Sequence, residues 1–131
     1  MKPLLKRLKR LKRLRDDRGV SMLEFAGYLP ILLIIGMAAI QLGLIGYAIN
    51  QAGSGARAAA RVASQDGAGE AAGYAAMSDW LDADVSAPKG GGDTTTSTVT
   101  VDVPVLIPFV GDDWADLDIV RHATMPNDED D

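Results

Sequence analysis

FAGYLPILLIIGMAAIQLGLIGYAI, residues 25–49, carries no full charge and only three polar side-chain groups, Gln41 and the hydroxyls of Tyr28 and Tyr47. As an α-helix it spans the roughly 30 Å hydrocarbon core of a bilayer with residues to spare. A buried helix of a soluble core seldom runs so long without a charge. Tyr28 and Tyr47 lie near its two ends, where interfacial aromatics are found. The run is also too long for the apolar core of a secretory signal peptide, which extends over about 7–15 residues.

On the N-terminal side, Met1–Arg18 holds nine of the chain's 13 Lys and Arg, against Asp16 and Asp17. The positive-inside rule keeps this end in the cytoplasm and puts the acidic remainder outside. Within KPLLKRLKRLKRLR, Leu4, Leu5, Leu8, Leu11 and Leu14 recur three or four apart, which gathers them on one face of a helix. Such a helix can lie on an anionic leaflet, and the leucine stripe favours lipid over nucleic acid as its partner. The net charge of −5 in 131 residues therefore conceals two ends suited to different electrostatic settings.

Beyond Ile49 the composition turns to alanine, which favours helix, so Asn50–Ser64 reads as a continuation of the span and Glu70–Asp84 as a second helical piece. Gly67, Gly69 and Gly73 predict a kink or break between them. SAPKGGGDTTTS reads as a flexible linker. In TSTVTVDVPVLI the residues Val99, Val101, Val103 and Val105 alternate with Thr98, Thr100, Asp102 and Pro104, a strand with its valines on one face. Pro104 donates nothing to a ladder and so predicts an edge position. PFVGDDWAD reads as a connection and Leu117–Met125 as a second, weaker strand. The resulting hairpin is expected to pack on the second helical piece through Trp80 and Leu81. The fold class is thus an α+β membrane protein. Its segments are a basic cytoplasmic leader (1–19), a transmembrane helix with its extension (20–64), a short helix and Gly-rich linker (65–93), an extracytoplasmic β-hairpin (94–125) and an acidic tail (126–131).

Catalytic chemistry finds little support. No cysteine is present, which excludes a thiol nucleophile and a disulfide framework. His122 is the sole histidine and has no nucleophile context, so it reads as a strand-surface residue. Asp112, Asp113, Asp116 and Asp118 cluster, as do Asp82 and Asp84, without EF-hand spacing, and read as solvated loops. The glycines 90–92 lack the Lys-Ser or Lys-Thr of a phosphate loop. No enzyme activity, cofactor or metal is expected.

Two constellations point to assembly. Gly36, Ala39, Gly43, Gly46, Asn50 and Gly53 recur at spacings of three and four, a stripe along which a second helix could approach closely. Gly19, followed by Val20 and, five residues on from the glycine, by Glu24, stands between the basic leader and the apolar run. This arrangement resembles the processing site of type IV prepilins, in which a membrane peptidase cuts after the glycine. Cutting there would free the Val20 amine, and the Glu24 carboxylate could pair with it at the membrane edge, where isolated charges are expensive. A plain helix-start carboxylate favoured by the helix dipole is the simpler alternative.

The wider segment is similar to the TadE-like family of tight-adherence pilus proteins. The similarity rests on Arg18, Gly19, Glu24, Phe25, Ala26, Leu29, Pro30, Ala56, Arg57, Ala60 and Arg61, and the ending IVRHATMP is similar to that family's closing strand. Gly27 and Tyr28 replace the usual aliphatic pair, and Gln41 departs from the apolar pattern. The resemblance implies a minor pilin-like or pseudopilin component of a tight-adherence pilus or secretion system in the cell membrane. Its implied partners are a prepilin peptidase, other pilins or assembly proteins, and membrane lipid. The alternative is an unprocessed single-pass membrane protein with a small extracytoplasmic binding domain.

Overall fold

The computed structural model describes residues 2–88, 92–106 and 116–127, with side chains from Gly19 onward except that of residue 116. Lys89–Gly91 of the expected linker, most of the connection PFVGDDWAD and residues 128–131 of the acidic tail lie outside the described residues. The chain divides into two compact units, Met1–Ala38 and Ala39–Asp131.

From Lys2 onward the first unit is helical, as part of α1 (Lys2–Ser64). Its apolar side chains have no cover: Val20, Met22, Leu23, Phe25, Leu29 and Ile31–Ile35 are all exposed. Hydrocarbon surface of this extent, left bare in water, would cost about 25 cal/mol per Å². Among the described residues α1 is the one helix long and apolar enough to cross a membrane, and its most apolar window is 6% buried.

In the second unit α1 continues and becomes a core element. Its alanines Ala48, Ala52, Ala56, Ala59, Ala60 and Ala63 are buried. They occur at helical spacing, so they form one smooth face, with no side chain longer than a methyl group to hold a packed partner at a distance. That partner is an antiparallel sheet of three strands, β1 (Asp82–Ser86), β2 (Thr94–Pro104) and β3 (Asp116–Pro126), in the order β1-β2-β3. Along β2, burial alternates with period two, and Thr95, Ser97, Val99, Val101 and Val103 are the buried set. Val85, Val99, Val101 and Val103 share one hydrophobic cluster with Met77 and the α1 alanines.

A short helix, α2 (Gly69–Ala75), follows a tight reversal. The Gly67 N–H donates to Val62 O (2.8 Å) and the Asp66 N–H to Ala63 O (3.2 Å), with Asp66 at φ 58°. This is a Schellman-type cap with aspartate in the left-handed position that glycine usually occupies. Gly69 and Gly73 are buried, and here glycine is required by proximity. A Cβ on Gly69 would lie 2.7 Å from Ala59 O, and one on Gly73 would lie 2.7 Å from Val85 Cγ1.

Three expectations are corrected. The expected helix Glu70–Asp84 is only the seven residues of α2, and Asp82–Ser86 is a strand, because Val85 gains burial and β1 gains a ladder along the free side of β2. The expected hairpin is present as β2 and β3, and β1 adds a third strand on the free side of β2, so β2 is the central strand and not an edge. Pro104 is tolerated because β1 pairs β2 only as far as Asp102, so at Pro104 β2 has one neighbour, Asp116 of β3. Finally, the sheet packs on the alanine face of α1, and Trp80 stacks on Tyr47 of α1 (ring centroids 5.4 Å apart) while Leu81 packs against the core cluster.

Ser97 Oγ is buried with no hydrogen-bond partner. Removing an unsatisfied buried hydroxyl removes its desolvation cost, so Ser97→Ala is expected to leave stability unchanged or raise it by up to about 1 kcal/mol. Chemical denaturation of the detergent-solubilised chain measures this.

Candidate functional site: the head of the apolar helix and its open face

Gly19 and Val20 lie inside α1, so the peptide bond between them is helical. Glycine costs about 1 kcal/mol in a helix interior relative to alanine, which makes this the cheapest place nearby to unwind. Gly19 has open space where a Cβ would stand, Val20 is exposed, and Glu24 is exposed one turn further along.

The small-residue stripe also lies open. Gly36, Gly43 and Gly46 have no atom within 4 Å of a built Cβ other than their own helix backbone and chain neighbours, and Ala39 and Asn50 are exposed. Gly53 differs: a Cβ there would lie 3.5 Å from a guanidinium nitrogen of Arg57, so the glycine is the seat on which the Arg57 head rests. The alanine face and the small-residue stripe are distinct, the first spent on the intramolecular sheet and the second left unpartnered.

Gln41 is the feature whose function the sequence did not disclose. It is 5% exposed, the first buried residue along α1 among those described. Its Nε2 donates to Pro104 O (3.2 Å) and its Oε1 accepts from the Leu106 N–H (2.8 Å). One primary amide thus satisfies both polarities of backbone released where β2 ends, groups that would otherwise face apolar surroundings. Before Gln41 the residues from Val20 to Ile40 are exposed apart from the half-buried Met37 and Ala38, a stretch about as long as a span requires, and Leu42 beyond it is exposed as well. Tyr47, expected near the end of the span, lies in the second unit. Its ring stacks on Trp80, its hydroxyl hydrogen-bonds Ser78 Oγ, and Gln51 Nε2 donates to the same hydroxyl at 2.9 Å. The one signal for Gln41 was its isolation, an amide in an otherwise apolar helix.

No group of three or more His, Asp or Glu side chains among the described residues is placed to hold a metal. Asp82, Asp102 and Asp118 do stand opposite one another on the three adjacent strands. His122 Nδ1 hydrogen-bonds Thr98 Oγ1 across β2 and β3 at 2.9 Å, a strand-surface role.

Gln41→Leu keeps the side chain's bulk and leaves the Pro104 carbonyl and Leu106 N–H unpartnered. The expected cost is about 1–3 kcal/mol, with faster amide hydrogen exchange at Leu106. Exchange at Leu106 as slow as in the unmodified chain would contradict this reading of the amide.

Residues 19–61 match the family model described as TadE-like protein. No curated protein and no solved structure matches the chain. The family is a structural, pilus-associated one, and the matched stretch takes in the glycine at the head of the apolar run, the uncovered helix and most of the alanine face. Over residues 19–61 the chain is therefore similar to the TadE-like family, and that similarity supports a component associated with tight-adherence pili.

Proposed function

We propose that this protein is a minor pilin-like, or pseudopilin, component of a tight-adherence pilus assembly or secretion system. Its basic end faces the cytoplasm, and a prepilin peptidase cuts it between Gly19 and Val20. The observation that carries the reading is an apolar helical run of membrane-spanning length with no cover of its own, headed by Gly19, Val20 and Glu24 and matched to the family from Gly19 onward.

The chemistry follows from placement. A peptidase requires extended backbone, and a helical Gly-Val bond at the edge of a membrane segment is inexpensive to unwind. Release of the leader removes a block of positive charge and creates one new cation, the Val20 amine. Glu24 is then the carboxylate available to it, on the same chain or on a neighbour, and pairing lowers the cost of holding either charge near hydrocarbon. The mature chain would act by lateral packing of its helix, with Gly36, Ala39, Gly43 and Gly46 allowing close approach.

Intact mass spectrometry of protein purified from cells containing the peptidase is expected to show loss of residues 1–19, and Gly19→Leu is expected to abolish that loss. A full-length mature chain, or a Gly19→Leu chain that still shortens, would instead support an unprocessed membrane-anchored binding domain. For lateral packing, Gly43→Leu is expected to reduce the signal of a membrane two-hybrid assay severalfold, and an unchanged signal would remove the stripe from the mechanism.

A further inference from the structure

The second unit contains a basic hollow that the proposed function leaves unused. It has a volume of about 280 Å³, lies between α1 and β3, and is lined by Ile49, Asn50, Gly53, Arg57, Arg121 and His122. Arg57 and Arg121 thus bring two cationic side chains, one from a helix and one from a strand far along the chain, to one concavity.

Register fixes the side on which Arg121 lies. It stands opposite Val99 of β2, and Ile119 and Ala123, two residues away on either side, pack against the hydrophobic cluster. Side chains alternate along a strand, so Arg121 falls on the face of the sheet that meets α1. The described carboxylates of the sheet do not share that face. Asp82, Asp84, Asp102 and Asp118 fall on the other one by the same alternation, and α1 has no Asp or Glu between Glu24 and its end at Ser64. His122 also belongs to the other face, where its Nδ1 meets Thr98 Oγ1, so the charge in the hollow is that of the two arginines. Arg57 lays its guanidinium over Gly53, and neither arginine makes an ion pair among the described residues. Two like charges brought together repel, and an anion between them removes that cost.

We propose that the hollow is a binding site for a single oxyanion, a carboxylate or a phosphate, held between Arg57 and Arg121. Each guanidinium can donate two parallel hydrogen bonds to such a group. Asn50 adds an amide that can donate to a remaining oxygen, and Ile49 adds an apolar wall for the body that carries the anion. The volume lies just below the roughly 300–1,000 Å³ of pockets for drug-sized molecules, which leaves room for an acidic group on a body of about one residue or one sugar. Beyond the leader the only Lys and Arg are Arg57, Arg61, Lys89 and Arg121, against a large excess of Asp and Glu. A surface of that sign repels extended polyanions, so the hollow takes one acidic group and not a charged polymer.

The test uses the full chain in zwitterionic micelles and reads the Nε–Hε resonances of Arg57 and Arg121 by NMR, which separates the hollow from the basic leader. Inorganic phosphate and N-acetylglutamate are titrated at constant ionic strength, with chloride as the control. At least one of the two is expected to shift both resonances saturably. Arg57→Gln is expected to weaken that binding, read at Arg121, at least about tenfold, the loss of a charge-assisted contact, and Arg61→Gln is expected to leave it unchanged. Both arginines of the hollow are exposed, so their substitution is expected to spare the fold. Tighter binding of phosphate supports the site with a phosphate-bearing ligand, and tighter binding of N-acetylglutamate supports it with a carboxylate-bearing one. No saturable shift with either probe, shifts that chloride reproduces, or equal affinities for Arg57→Gln and Arg61→Gln would overturn the proposal. Neither probe nor readout depends on cleavage after Gly19 or on helix packing, so this result stands apart from the pilin-like reading.

Discussion

The closeness of α1 to the sheet is the constraint on which the rest of the structure depends. A helix whose inner face is alanine shares one cluster with the valines of β2, and a small sheet thereby buries Val99 and Val101 completely. Close packing of this kind allows little slack, since protein interiors are packed as tightly as organic crystals. The same closeness explains the glycines of α2. Gly69 and Gly73 bring that helix against Ala59, where any side chain would meet backbone oxygen or a core methyl group. With a 93-residue second unit and no disulfide, stability must come from contact quality over a small area.

A second constraint follows at the foot of the sheet. Strand β2 outlasts its pairing with β1, and its last backbone groups need partners near apolar helix. Gln41 supplies them, and in doing so it divides α1 into two stretches with separate roles. Residues before it present mostly bare hydrocarbon, and after it the alanines from Ala48 onward serve as a wall of the second unit's core, while Leu42 stays exposed. That one helix does both explains why its polar and apolar patterns look contradictory when read as a single span. Gln41 is a flaw in a membrane helix and a requirement in a sheet-bearing one.

Much of this was legible from local pattern. The apolar run, the helical continuation through Ser64, the valine alternation of β2 and the strand ending at the acidic tail are all short-range signals in which each residue's neighbours decide its state. The glycine followed five residues on by a glutamate at the head of the run was equally plain. Strand β1 was not. DADVS has weak alternation and follows an alanine-rich stretch, so local propensity favoured helix, and only the free side of β2 made an extended conformation worthwhile. Pro104 misled for a related reason, since an edge residue can sit on a central strand where the neighbouring strand is shorter.

The sequence by itself determined the membrane-length helix, the basic and acidic ends, the fold class and the segment shared with the TadE-like family, because these depend on composition and on spacing along one element. The tertiary structure alone decided that Gln41 serves the end of β2, that Gly53 seats Arg57, and that Arg57, Arg121 and His122 come to one hollow. These are meetings between residues up to 65 positions apart, as Gln41 and Leu106 are, and depend on which backbone groups and faces remain unpaired after the local elements have formed.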